Sequence, residues 1–128
     1  MEESEGVQGV MWDETRRVVG CAMRVLNHLG GGLLEKPYEN ALVVELEYQG
    51  IPYHQQPRFD VVYRGRSVGQ FVPDLVVFDG LIVETKVIDQ IGETEYGQVI
   101  NYLRVTGLQA GLLLNFRQSR LQWKRVVL

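Results

Sequence analysis

The stretch VPDLVVFDGLIVETK, residues 72–86, constrains the fold more than any other part of this chain. Two apolar runs flank Asp79-Gly80, a residue pair that adopts tight hairpin turns readily, so the runs are expected to pair as antiparallel strands. Charge gathers at the far end: Asp74 opens the first run, and Glu84 and Lys86 close the second. Side chains alternate faces along a strand, which puts Glu84 and Lys86 on one face and Thr85 on the other. Pairing about Asp79-Gly80 sets opposite each other residues whose numbers sum to about 159, so Asp74 is expected across from Thr85. The turn alone therefore brings two carboxylates and an ammonium to one end of a strand pair.

The rest of the chain supplies helices before and after this hairpin. WDETRRVVGCAMRVLNHLGGG repeats Val18, Ala22, Val25, Leu26 and Leu29 at helical spacing, with Asp13 and Glu14 at its start and three glycines to stop it. LLEKPYENALVVELEYQG reads as a second helix, with Pro37 in its first turn and Gly50 as its C-terminal cap. Strands are expected near 57–63, 67–78 and 81–87, with Arg64-Gly65-Arg66 as the first turn, forming an antiparallel meander. ETEYGQVINYLRVTG reads as a third helix ending at Gly107, and AGLLLNF and LQWKRVVL as two closing strands. The order α-α-β-β-β-α-β-β predicts a mixed α+β or α/β domain.

The chain has 128 residues, the length of one domain with one sizeable core, expected over 11–128 behind a loosely ordered segment 1–10. Its formal net charge of −3 argues against tight non-specific binding of nucleic acid, which rests on neutralising phosphates, though not against a local basic patch. A single cysteine, Cys21, excludes an intramolecular disulfide and reads as a small buried hydrophobe. No apolar run is long enough to span a membrane, and the acidic start MEESEGVQGV is not a secretory signal, so a soluble cytoplasmic protein is expected.

Two carboxylates brought to one point repel each other, and in a low-dielectric setting one must take up a proton or a cation must join them. Few, hard oxygen ligands suit Mg²⁺ or Mn²⁺, which keep waters for substrate phosphates. A lysine beside such a site orients the attacking water or neutralises charge on a phosphoryl group. The residues thus point to a metal site for phosphodiester hydrolysis. The plain alternative is an ion pair of Lys86 with Glu84 or Asp74 at a sheet edge, worth little in stability.

Pro73-Asp74 followed by Glu84-Thr85-Lys86 resembles the signature of the PD-(D/E)XK nuclease superfamily. Upstream, GLLEKPY resembles the pattern of the GxxExxY proteins assigned to that superfamily, with Gly32, Glu35 and Tyr38 in its three positions. The likeness runs from about Val18 through YENALVVELEYQGI to GLLLNF. It implies an αβββαβ core with a central mixed sheet flanked by helices. It also implies Asp74 and Glu84 as metal ligands, helped by the Thr85 carbonyl, with Lys86 positioning the water. Glu35 would add a third acid from the helix before the sheet. Gln98 and Tyr102, four apart on the helix after the lysine strand, match a Gln and Tyr often found there, and Tyr38 and Tyr102 would touch substrate.

Each of these has a plainer reading. Glu35 suits the first turn of any helix, Tyr38 is equally a core aromatic, Gln98 a surface residue, and Gly32 a backbone requirement. Phosphate contacts would come from scattered cations: Arg58, Arg64, Arg66, Arg104, Arg117, Arg120, Lys124 and Arg125. The leading expectation is a Mg²⁺- or Mn²⁺-dependent nuclease acting on DNA or RNA, with no membrane partner. The second is a non-catalytic module of the same fold that binds a partner protein or nucleic acid. A small domain with this core could also act as a homodimer, with one site per DNA strand.

Overall fold

The structure, a computed structural model, describes residues 9–128. The expected loose N-terminal segment therefore falls almost wholly outside the described residues. Helices α1 (Trp12–Leu29) and α2 (Glu35–Tyr48) come first, followed by strands β1 (Tyr53–Gln55), β2 (Phe59–Tyr63), β3 (Arg66–Phe71), β4 (Leu75–Val77) and β5 (Leu81–Lys86). Helix α3 (Glu93–Thr106) then leads to β6 (Ala110–Asn115) and β7 (Gln122–Val126). Five strands make a mixed sheet in the order β1-β4-β5-β6-β7, in which only β5 and β6 run parallel.

Alternation along the central strands distributes the core between two faces. Leu81, Val83, Leu112 and Leu114 pack with Val18, Ala22, Leu26, Leu42 and Leu46 of α1 and α2. Ile82 and Leu113 face the other way, onto Val99 and Leu103 of α3. A strand covered by helices on both faces reads as a continuous apolar run, which is why AGLLLN shows no polar alternation. α2 ends in a Schellman motif. Gly50, at φ 69°, takes the left-handed position, its N–H donates to the Glu47 carbonyl, and the Ile51 N–H donates to the Leu46 carbonyl.

The expected meander is corrected in two respects. The 67–78 strand is two strands, because Val72-Pro73-Asp74 breaks the ladder between β3 and β4. β2 and β3 then pair only with each other, as a separate two-stranded ribbon, and the unexpected β1 takes the place beside β4. The hairpin register also shifts by one residue. Phe78 and Asp79, at φ 55° and 56°, occupy the two left-handed positions of the turn, and the Gly80 N–H donates to the Val77 carbonyl over 3.2 Å. Val77 pairs with Leu81 across a three-residue connection, so continuing the ladder sets Asp74 opposite Glu84 rather than Thr85. Phe78 tolerates its left-handed backbone while its ring packs on the α1–α2 side of the core, under the Arg17 guanidinium. The Gly80 carbonyl accepts from Gln109 and Ala110 N–H groups, tying the turn to the start of β6.

Candidate active site

β4 begins only at Leu75, so the last three residues of β5 extend past it along an open sheet edge. Asp74 folds across that edge. Its Oδ2 accepts from the Thr85 backbone N–H at 2.8 Å and from the Thr85 hydroxyl at 2.8 Å. In return the Asp74 N–H donates to Glu84 Oε2 at 3.2 Å. Each carboxylate is thus pinned by one oxygen, and Asp74 Oδ1 and Glu84 Oε1 have no hydrogen-bond partner among the described residues.

Burial first, and the Asp74 carboxylate second, push the Glu84 carboxyl up to about 7 from an ordinary 4.5. Glu39 adds to the rise, whereas the Asp74 N–H and the Lys86 ammonium oppose it. Lys86 follows Glu84 by two on β5 and shares its face of the sheet. It makes no ion pair within 4 Å among the described residues, so the plain reading as a structural salt bridge lacks its contact. The chain just beyond Lys86 is held by Asn115. Its Oδ1 accepts from the Ile88 and Arg117 N–H groups, and its Nδ2 donates to the Ile88 carbonyl and to Gln122 Oε1.

Of the residues read from sequence, Asp74, Glu84 and Thr85 come together, with Lys86 beside them. Glu35 does not join that group. It is exposed on the first turn of α2, lining a shallow concavity with Val87 and Arg117. The acid of α2 whose field reaches Glu84 is Glu39, one helical turn later and only 3% exposed. Glu39 is held by Lys36 at 3.1 Å, by Gln55 at 2.7 Å and by Gln56 at 3.1 Å. Gln56 also donates its backbone N–H to the Asp74 carbonyl at 2.9 Å, so Glu39 braces the strand end that carries Asp74. The i, i+4 spacing of Glu35 and Glu39 was the available signal, since both lie on one face of α2. Among the described residues no group of three or more His, Cys, Asp or Glu side chains is arranged to hold a metal ion.

Tyr38 is corrected from substrate contact to core. It is 0% exposed, its ring stacks on Phe116 at 4.5 Å, and its hydroxyl donates to the Gly30 carbonyl and accepts from the Leu33 N–H at 3.0 Å. A satisfied, water-excluded phenol has nothing left to offer a substrate. Tyr102 is half-buried and gives a ring face to Phe71 of β3 at 3.6 Å, leaving little of that face for a ligand. Gln98 is exposed on α3. Gly32, at φ 90°, does meet a backbone need, its N–H donating to the Phe116 carbonyl. Of the scattered cations, Arg125 is buried against Trp12 and bonds the Val10 carbonyl, and Arg117 pairs with Asp89 at 3.2 Å. Cys21 is buried, and that burial raises its thiol pKa, as suits an inert core residue.

A family model described as the PD-(D/E)XK nuclease superfamily matches residues 12–126. No curated protein matches. Among solved structures, the crystal structure of SSO0001 superposes with a TM-score of 0.56 at 12% identity, over 70% of this chain and 47% of that one. The chain therefore spans about half the length of that structure. LHK-Exo, an alkaline exonuclease from Laribacter hongkongensis, matches in a complex with dAMP at TM-score 0.48 and 15% identity. A second crystal structure of it matches at 0.41 and 14%, and each covers 83% of this chain and 75% of that one. No helix among the described residues is long and apolar enough to cross a membrane.

Proposed function

The chain belongs to the PD-(D/E)XK nuclease superfamily, and from that premise we propose that it is a divalent-metal-dependent nuclease whose site lies at the edge formed by Asp74, Glu84, Thr85 and Lys86. One observation carries the reading. Two adjacent carboxylates are each pinned by one oxygen with the other open, and one of them is pushed up to about 7 by burial and by its neighbour. That is the electrostatic state of a site that gains by taking in a cation.

Asp74 and Glu84 would hold Mg²⁺ or Mn²⁺. The Thr85 carbonyl is a third candidate ligand, since the C=O and N–H of one strand residue point to the same side and this N–H points to Asp74. Bound there, the ion supplies Lewis-acid polarisation of the phosphoryl oxygen and of the attacking water. The chain's own groups do the rest. Glu84 must shed its proton for the site to load, so occupancy rises with pH through about 7. The Lys86 ammonium, unpaired among the described residues, orients the water by hydrogen bonding and offsets charge on the phosphoryl group. Thr85 fixes Asp74 through two bonds, and Glu39 fixes the chain before it through Gln55 and Gln56. Water adds to phosphorus as one ester P–O bond breaks, and the departing oxygen leaves with a proton.

A second reading rests on the acid count. With two carboxylates and no third acid completing a cluster among the described residues, a non-catalytic module binding nucleic acid or a partner protein keeps support. The test is a calorimetric titration with MnCl₂ beside a cleavage panel of single-stranded, double-stranded and branched DNA and RNA. Asp74→Ala is expected to lose both metal and cleavage, and Lys86→Ala to lose cleavage by about 10²–10⁴-fold while keeping metal. A wild type that binds metal yet cuts nothing selects the module.

A further inference from the structure

The β2–β3 ribbon concentrates positive charge on an acidic molecule. Residues 57–71 carry Arg58, Arg64 and Arg66 against a single acid, Asp60, in a chain of net charge −3. None of the three arginines has a carboxylate within 4 Å among the described residues. Arg58 reaches only Gln70, and Arg64 lies over the Tyr63 ring. Asp60 is turned onto the ribbon itself, accepting from Ser67 and Gln70. The charge of the ribbon is therefore directed outward.

Its shape is equally specific. The base is docked by a stack of Phe59, Phe71 and Tyr102, Val61 above it is half-buried, and beyond Val61 the ribbon is exposed on both faces. Val62, Tyr63 and Val68 are 62%, 65% and 62% exposed, although apolar. The register skips Val68 between Val61 and Val62, a bulge that sharpens the twist. Six residues of β3 extend about 20 Å. Both stems of the ribbon begin at the candidate site. Gln56, at the foot of β2, bonds the Asp74 carbonyl, and β3 returns through Val72 and Pro73 to Asp74 itself.

We infer that the β2–β3 ribbon is the arm by which the protein grips double-stranded DNA, lying in the major groove and delivering a backbone phosphate to the edge at Asp74; this rests on the nuclease reading of that edge. A two-stranded ribbon fits the major groove of B-form DNA, roughly 12 Å wide, whereas the A-form RNA groove is too narrow for it. Arg64 and Arg66, next to each other across the turn, reach phosphates on the groove walls, and Arg58 lies toward the site. The exposed methyl groups of Val62 and Val68 suit contact with thymine methyls.

The experiment measures binding of the full chain to a short labelled DNA duplex, to its single strands and to the same sequence as duplex RNA, in EDTA over a range of salt. The variants are Arg64→Asn with Arg66→Gln, and Val62→Glu. Arg64→Asn keeps the turn, because Asn-Gly is the pair such turns favour and Arg64 already sits at φ 50°. The duplex should bind more tightly than either alternative. The double variant should lower affinity about tenfold and reduce the slope of log affinity against log salt by about two, one for each arginine. An unchanged slope, or equal affinity for all three nucleic acids, overturns the proposal. So does a concentration-dependent dimer that Val62→Glu dissociates without loss of duplex binding, since the ribbon would then be a contact between copies. Calorimetry with MnCl₂ on the same proteins separates the two readings. Metal binding with no duplex binding removes the ribbon proposal alone, and duplex binding through the arginines with no metal removes the nuclease reading of the edge alone.

Discussion

β6 and β3 are both six-residue strands, and the fold treats them oppositely. All six residues of β6 are buried, whereas five of the six in β3 are exposed. β6 lies between helices on both faces and between strands on both edges. β3 touches the body of the protein mainly through Phe71. The leucines of β6 are therefore set by packing, at about 1.5–3 kcal/mol for each large apolar side chain buried, and Asn115 at its end by hydrogen bonds. The tip of the ribbon contributes almost nothing to the core, so its composition is free to answer to something outside the molecule. The candidate site lies where these two regimes meet, and the buried Glu39 braces the strand end that carries Asp74 through Gln55 and Gln56.

The largest effect belongs to the packing behind β6. Tyr38→Ala should cost about 3–5 kcal/mol in urea unfolding, since it empties a fully buried ring site against Phe116 and leaves the Gly30 carbonyl and Leu33 N–H unpartnered. A loss below 1 kcal/mol would falsify the assignment of Tyr38 to the core.

The junction comes next and is read by pH. The Glu84 carboxyl holds its proton up to about 7 in the folded state and to about 4.5 unfolded, so the native state binds more protons across that window. Metal-free stability should then fall as pH rises from about 4.5 to about 7, by about 3 kcal/mol from this group, and level off above. Glu84→Gln should erase that slope, being more stable than wild type at pH 8 and converging with it near pH 4.5. Destabilisation of the variant at pH 8 would instead make Glu84 half of a structural ion pair. Added MnCl₂ should raise the melting temperature of the wild type and not of the variant.

Smaller effects fall on the ribbon. Phe71→Ala removes a half-buried ring from the stack with Tyr102, for about 1–2 kcal/mol. Hydrogen exchange should show the 62–68 amides freed by it while β5 and β6 keep their protection. Val62→Thr should lie within about 0.5 kcal/mol of wild type, and a larger loss would mean that the tip packs on something the two-strand pairing does not show.

Local signals in the sequence were sufficient for the three helices, for β5 to β7, and for the gathering of Asp74, Glu84 and Lys86 at one strand end. Helical periodicity, glycine stops and an Asp-Gly turn act over a few residues and need no distant partner. The apolar run Leu112 to Leu114 says only that both faces of its strand are buried, never against what. The tertiary structure decided the remainder: β1 rather than β3 beside β4, the three-residue turn that sets Asp74 opposite Glu84, Glu39 rather than Glu35 as the acid sensed by Glu84, and Tyr38 in the core. Each of these depends on contacts between residues far apart in the chain, and their free energy includes loop closure and mutual packing that no single stretch of sequence contains.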